Sequence, residues 1–133
     1  MDQLSLIRQL NKAIFEEARV INSFDHNEIV MTVAWWDGEP AGFKVGYDRP
    51  ESVFYSAKGG VLPPFRRRGI ARALLYDLME RARMRGYGRF VYDTFPNKHP
   101  GMAVMGFTEG FTLVRAGFNT QYGDYRLRLA RDL

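Results

Sequence analysis

The chain has 133 residues, 46% hydrophobic and 26% charged, with a net charge of +4 and no cysteine. These values fit one ordinary globular domain over residues 1–133 and exclude disulfides, thiol nucleophiles and thiolate metal sites. No apolar run is long enough to span a bilayer, so no membrane partner is expected, and Met1-Asp2-Gln3-Leu4-Ser5 lacks the basic then apolar layout of a signal peptide, which makes the cytoplasm the expected location.

Leu4, Ile7, Ile14, Ala18 and Ile21 recur on one helical face, with Asp2 or Ser5 as N-cap and Asn22-Ser23 as the stop. Residues 29–36 and 41–47 are apolar, β-rich runs flanking Asp37-Gly38-Glu39-Pro40, which reads as a hairpin. Trp35 and Trp36 must face opposite ways on the first of these strands, so one belongs to the core. Residues 52–62 make a third strand, with a bulge expected at Gly59-Gly60. Pro63-Pro64 must end it, because neither residue can donate to a ladder. Leu74, Leu75, Leu78, Met79 and Ala82 then recur at helical spacing, giving a helix over about residues 69–85 closed by Gly86 and Gly88. A strand over residues 89–94, a loop through Pro96 and Pro100, a short helix near 102–107 and strands over 111–116 and 124–129 complete the chain. The last strand alternates Tyr125, Leu127 and Leu129 with Arg126 and Arg128, and is expected to leave an unpaired edge.

The stretch from Val61 to Ala71 ends a strand, turns and opens a helix among Arg66, Arg67, Arg68 and Arg72. A helix starting near Gly69 leaves its first N–H groups without internal partners, and those donors, the positive end of the helix dipole and the tolerance of glycine for close approach make an anion site suited to phosphate. Spacing rules out a Walker loop and a G-x-G-x-x-G turn. Taken alone, the arginines also fit a solvated face or a nucleic-acid patch. His26 and His99 have no nearby paired ligand, so no metal site is expected.

Arg66-x-x-Gly69-x-Ala71 resembles the R/Q-x-x-G-x-G/A signature of the GNAT superfamily of acyl-CoA N-acyltransferases. The flanking order is similar too: Val61-Leu62-Pro63 before the signature, a long helix after it, a further strand, Asn97, a short helix and Gly110-Phe111. The resemblance implies an α/β (α+β) three-layer domain with a mixed, mainly antiparallel sheet, a splayed central strand pair and helices on both faces. It implies acetyl-CoA as cosubstrate. The pantetheine arm, which carries two amides, would pair with the backbone of Gly60, Val61 and Leu62, and the pyrophosphate would lie on the turn formed by Arg66, Arg67, Arg68, Gly69, Ile70, Ala71 and Arg72. Asn97 would reach the cofactor from the opposite wall, and a homodimer through the last strand is expected.

Amine acylation by a thioester needs a neutral amine, donors for the oxyanion and a proton for the leaving thiolate. Many family members carry a tyrosine four residues before the Gly-Phe pair; Gly106 stands there, followed by Phe107. Some relatives place a carboxylate base where this chain has Tyr92, with Asp93 one residue on, and these two are the catalytic candidates. Tyr122 and Tyr125 are further sources of the acid. With no cysteine and no G-x-S-x-G, the expected reaction is direct transfer to a primary amine of a small molecule or peptide in a ternary complex. A non-catalytic CoA-binding or protein-interaction module is one alternative. A small RNA-binding protein using the arginine cluster is another, weakened by the low lysine count and modest net charge, so nucleic acid is not the expected partner.

Overall fold

The computed structural model describes residues 2–133. Helix α1 (Gln3–Phe15) starts where the Asp2 carboxylate accepts the Ser5 N–H at 2.7 Å, as a capping aspartate should. It ends earlier than the apolar periodicity predicts, with Glu16 in the left-handed region at φ 57°. The cause is Asn11, fully buried, whose Nδ2 donates to the carbonyls of Glu17 at 2.9 Å and Arg19 at 3.2 Å. This hook folds the chain back, so Val20 and Ile21 enter the core from an irregular segment instead of a helix.

Strands β1 (Ile29–Trp36) and β2 (Glu39–Arg49) form the expected hairpin. Asp37 and Gly38 both take positive φ, 48° and 78°, so they alone make a tight turn whose twist matches the strands, and Glu39 and Pro40 already belong to β2. Trp35 is exposed, while Trp36 packs beside Ile70 and Leu74. Next come β3 (Val53–Val61), a 3-10 turn (Pro63–Phe65), α2 (Ile70–Met84), β4 (Arg89–Thr94), α3 (Pro100–Thr108), β5 (Thr112–Asn119) and β6 (Asp124–Asp132).

The six strands form one sheet in the order β1-β2-β3-β4-β6-β5, antiparallel except for the β3–β4 pair. Two expectations need correction here. The last strand, β6, is interior, and the edge strands are β1 and β5, because the chain returns between β4 and β5. The β3 bulge lies at Ala57, where the register skips from Val45↔Lys58 to Gly46↔Ser56, two residues before Gly59. It also marks where β3 and β4 part: their pairing runs from Val53↔Arg89 to Ser56↔Tyr92 and stops, although β3 continues to Val61 and β4 to Thr94.

Both faces of the sheet carry helices. Leu75, Leu78, Met79 and Ala82 of α2 pack with Phe54, Phe90 and Leu129, joined by Met102 and Met105 of α3. Ile7 and Leu10 of α1 pack on the other face with Phe43 and Val45. Truncating a fully buried leucine such as Leu75 or Leu78 typically costs about 2–5 kcal/mol, so these positions hold the sheet to its helices. Among the described residues, no helix is long and apolar enough to cross a membrane.

Candidate functional site

The parting of β3 and β4 opens a cleft of ≈ 830 Å³, bounded by β3 from Ser56 to Val61, the turn into α2, and the segment from β4 to α3. β2 pairs with one edge of β3 here, through Gly42↔Val61, Phe43↔Gly60 and Lys44↔Gly59. The other edge has no strand partner, so its backbone groups offer an extended amide chain the pairing a further strand would make.

The turn at the cleft mouth is built by its own sequence. Pro63 and Pro64 end β3, Arg66 Nε donates back to the Val61 carbonyl at 3.0 Å, and Gly69 takes φ 77° before α2. No side chain caps the start of α2, and a Cβ at Gly69 would meet nothing within 4 Å, so the first N–H groups of the helix open onto space. The four arginines are not equivalent. Arg66 is tied to Val61, Arg68 lies 4.9 Å from the Trp36 ring, and Arg72 pairs with Glu109. Among the described residues, Arg67 alone of the four makes no side-chain hydrogen bond, ion pair or ring contact.

At the inner end, Tyr92 and Asp93 face opposite sides of β4, as alternation requires. Tyr92 Oη donates to the Met102 carbonyl at 2.7 Å, and burial pushes its pKa up to about 12. Its hydroxyl fills the space a side chain at Gly106 would need: a Cβ there would collide with Tyr92 Oη and stand 2.6 Å from Leu129 Cδ1. Asp93 accepts two bonds from Arg128, at 2.8 and 3.0 Å, and one from Tyr55 Oη at 2.9 Å. Burial alone would raise its pKa, but Arg128 and Tyr55 outweigh that and hold it below the usual carboxylate value. Burial, with Asp93 adding to it, raises the pKa of Tyr55.

Asn97, expected to reach the cofactor from the opposite wall, donates to Asp124 Oδ1 at 2.9 Å, and its neighbours Lys98 and His99 line the cleft. Tyr122 and Tyr125 are exposed and do not border it. Gly60, Val61, Arg66, Arg67, Gly69, Ile70, Ala71 and Arg72 are brought together around the cleft, with Leu62 and Arg68 just outside its lining.

Sequence reading missed Lys44. Only 5% exposed, it borders the cleft, donates from Nζ to Ser56 Oγ at 3.2 Å and sits 5.9 Å from the centre of the Tyr92 ring. Desolvation pulls its pKa down to about 8. The available signal was a lone lysine in the apolar run from Ala41 to Val45, a strand buried on both faces where alternation would normally put lysine in water.

A family profile described as the acetyltransferase (GNAT) family matches residues 4–107. No curated protein matches the chain. Among solved structures, the IAA acetyltransferase from Bacillus cereus superposes with a TM-score of 0.85 at 17% identity, covering 100% of this chain and 96% of that one. A Bacillus subtilis acetyltransferase in complex with CoA gives 0.84 at 15% identity, covering 100% and 95%. A GNAT-family acetyltransferase from Elizabethkingia anophelis with acetyl-CoA bound gives 0.71 at 20% identity, covering 77% and 75%. At these identities the superpositions speak to the fold.

Proposed function

Since this chain belongs to the GNAT acetyltransferase family and is an acetyltransferase using acetyl-CoA, we propose that residues 1–133 form one domain that binds the cofactor in the β3–β4 cleft and passes its acetyl group directly to a primary amine of a small molecule or peptide. The observation that carries this reading is the continuity of the unpaired β3 edge with the uncapped start of α2. An extended arm with two amides can lie along Gly60, Val61 and Leu62, and its pyrophosphate then falls on the N–H groups from Gly69 to Arg72.

Isothermal calorimetry with acetyl-CoA, dephospho-CoA and a short RNA tests it. Acetyl-CoA should bind and the RNA should not; salt-sensitive RNA binding alone would defeat the proposal. Arg67→Ala should weaken acetyl-CoA about tenfold, the low end for a charged hydrogen bond because the side chain is exposed. Arg72→Ala should weaken it less, since Glu109 already engages that guanidinium. A reversed order would reject the assignment of Arg67.

In this reading neither Tyr92 nor Asp93 carries the proton. Tyr92 already donates to Met102, and Asp93 is a charge-paired carboxylate held acidic. Tyr92→Phe and Asp93→Asn should therefore lower kcat by less than about tenfold, against the 10²- to 10⁴-fold typical of a positioned acid or base. Asp93→Asn should instead destabilise the fold by about 2 kcal/mol, below the range for a fully buried pair because Arg128 keeps partial exposure. The sign with pH follows. A carboxylate whose folded pKa is depressed stabilises above its unfolded value near pH 4, and that contribution is lost as pH falls through the folded value. The wild type should therefore lose its advantage over Asp93→Asn in acid melts.

The proposal includes a homodimer and a cytoplasmic setting. Strand β5 is exposed along nearly its whole length and presents Leu113, Val114 and Phe118, an edge a second copy could cover. Light scattering at micromolar concentration should give twice the chain mass; a strictly monomeric value rejects it.

A further inference from the structure

We propose that Lys44 is the catalytic acid of the acetyl transfer, its ammonium group giving a proton to the CoA sulfur as the thioester breaks. This rests on the cofactor placement proposed above.

Three observations converge on it. The first is position. Lys44 Nζ lies 3.2 Å from Ser56 Oγ, and Ser56 is the last β3 residue paired to β4, so the ammonium stands where the two strands part. From Val61 to Ser56 the strand runs about 16 Å at ~3.3 Å per residue, a length that an extended pantetheine arm anchored at the α2 turn can cover with its thiol end.

The second is access. Lys44 pairs across from Gly59, and a Cβ on Gly59 would stand 2.6 Å from Lys44 Cγ and 3.3 Å from Nζ. The missing side chain leaves the lysine its path beneath β3.

The third is the absence of a counter-charge. Among the described residues Lys44 has no carboxylate partner, and its ammonium donates to a neutral hydroxyl. Lys58 turns to Glu17, Asp93 is taken by Arg128, and the other ionisable groups on the cleft are Tyr92, Lys98, His99 and the arginines of the turn. A buried ammonium with no anion beside it is costly unless an anion forms there. The leaving thiolate is such an anion, and it exists only during the reaction. The position used by the family tyrosine is Gly106, and the hydroxyl beside it is already donated to Met102.

The chemistry balances. The amine lone pair attacks the thioester carbonyl carbon and forms the C–N bond. On collapse, the C–S electrons go to sulfur, which takes a proton from Lys44 to give CoA thiol and a neutral lysine. The proton shed by the new amide nitrogen passes through solvent and restores the ammonium. Burial brings the lysine pKa to about 8, close to that of an ordinary thiol, which suits proton exchange between them.

The test needs no knowledge of the natural acceptor. Ultraviolet titration of CoA bound to the protein follows thiolate absorbance. Bound to the wild type, the thiol should ionise at lower pH than free CoA, and Lys44→Met should abolish the shift while calorimetry still shows binding. With hydroxylamine as the acceptor probe, Lys44→Met should lower kcat by at least about a hundredfold and leave the acetyl-CoA KM within about twofold. The alkaline fall of the wild-type kcat near pH 8 should vanish in the variant. Lys44→Gln, checked by circular dichroism, repeats the test if the methionine variant fails to fold. A shift that survives in a folded variant overturns the proposal, as does a change confined to the acceptor KM, or an acetyl group found by mass spectrometry on Lys44 itself. CoA that binds without any thiol shift removes this role alone, whereas wild-type protein that binds no CoA removes the cofactor placement as well.

Discussion

Gly69→Asp protein is expected to fold and to lose acetyl-CoA binding by more than about a hundredfold. At φ 77° an L residue is strained by about 1–2 kcal/mol, but aspartate tolerates this region better than most, and at the start of α2 its carboxylate gains from the first-turn N–H groups and the helix dipole. These effects nearly offset, and the new side chain meets no neighbour within 4 Å. Binding has no such compensation. The carboxylate occupies the donors the pyrophosphate requires and repels it; at an effective dielectric near 20, two unit charges about 4 Å apart interact by about 4 kcal/mol, and a hundredfold loss needs only about 2.7. Calorimetry on protein with an unchanged melting curve checks this. Wild-type affinity in such protein would show that the cofactor does not use this turn.

Gly106→Ala should destabilise the protein by about 1–2 kcal/mol net, measured by urea denaturation. Alanine normally improves a helix by about 1 kcal/mol over glycine, so the substitution would stabilise if the site had room. It has none, because the added methyl collides with Tyr92 Oη and crowds Leu129 Cδ1, and overpacking of this kind typically costs 1–3 kcal/mol. The collision predicts coupling. Tyr92→Phe alone should lose about 1 kcal/mol with its bond to Met102, yet in the double variant it should recover part of the Gly106→Ala loss. Strict additivity of the two would mean that they do not meet. Gly106→Tyr, which restores the family residue, should be worse than Gly106→Ala, since the ring has no space while Tyr92 remains.

Much of this was legible in the chain because local chemistry and tertiary structure agree. Consecutive prolines stop β3 wherever it lies, and the apolar spacing of α2 needs only a sheet to pack on. The failures share a cause. The end of α1 is set by Asn11 reaching carbonyls six and eight residues away, which periodicity does not register. The edge strand was misplaced because sequence order does not reveal that β6 inserts between β4 and β5. At the site, the sequence does not show that Asn97 and Asp93 hydrogen-bond to Asp124 and Arg128 of β6. Lys44 escaped notice because its role depends on a gap at Gly59 and on where two strands diverge.

That divergence has a mechanical consequence. The sheet consists of two three-stranded halves, β1-β2-β3 and β4-β6-β5, stitched by only four paired positions between residues 53–56 and 89–92. A ligand lying along the rest of the seam acts as a missing rung, so occupancy should bind the halves into one cooperative unit. Hydrogen exchange would display it, as slowed amides along residues 57–61 and across β4 together. Ligand at a hundred times its dissociation constant adds about 2.7 kcal/mol to stability by mass action alone, so the protein is at its stiffest when loaded and loosens as CoA departs.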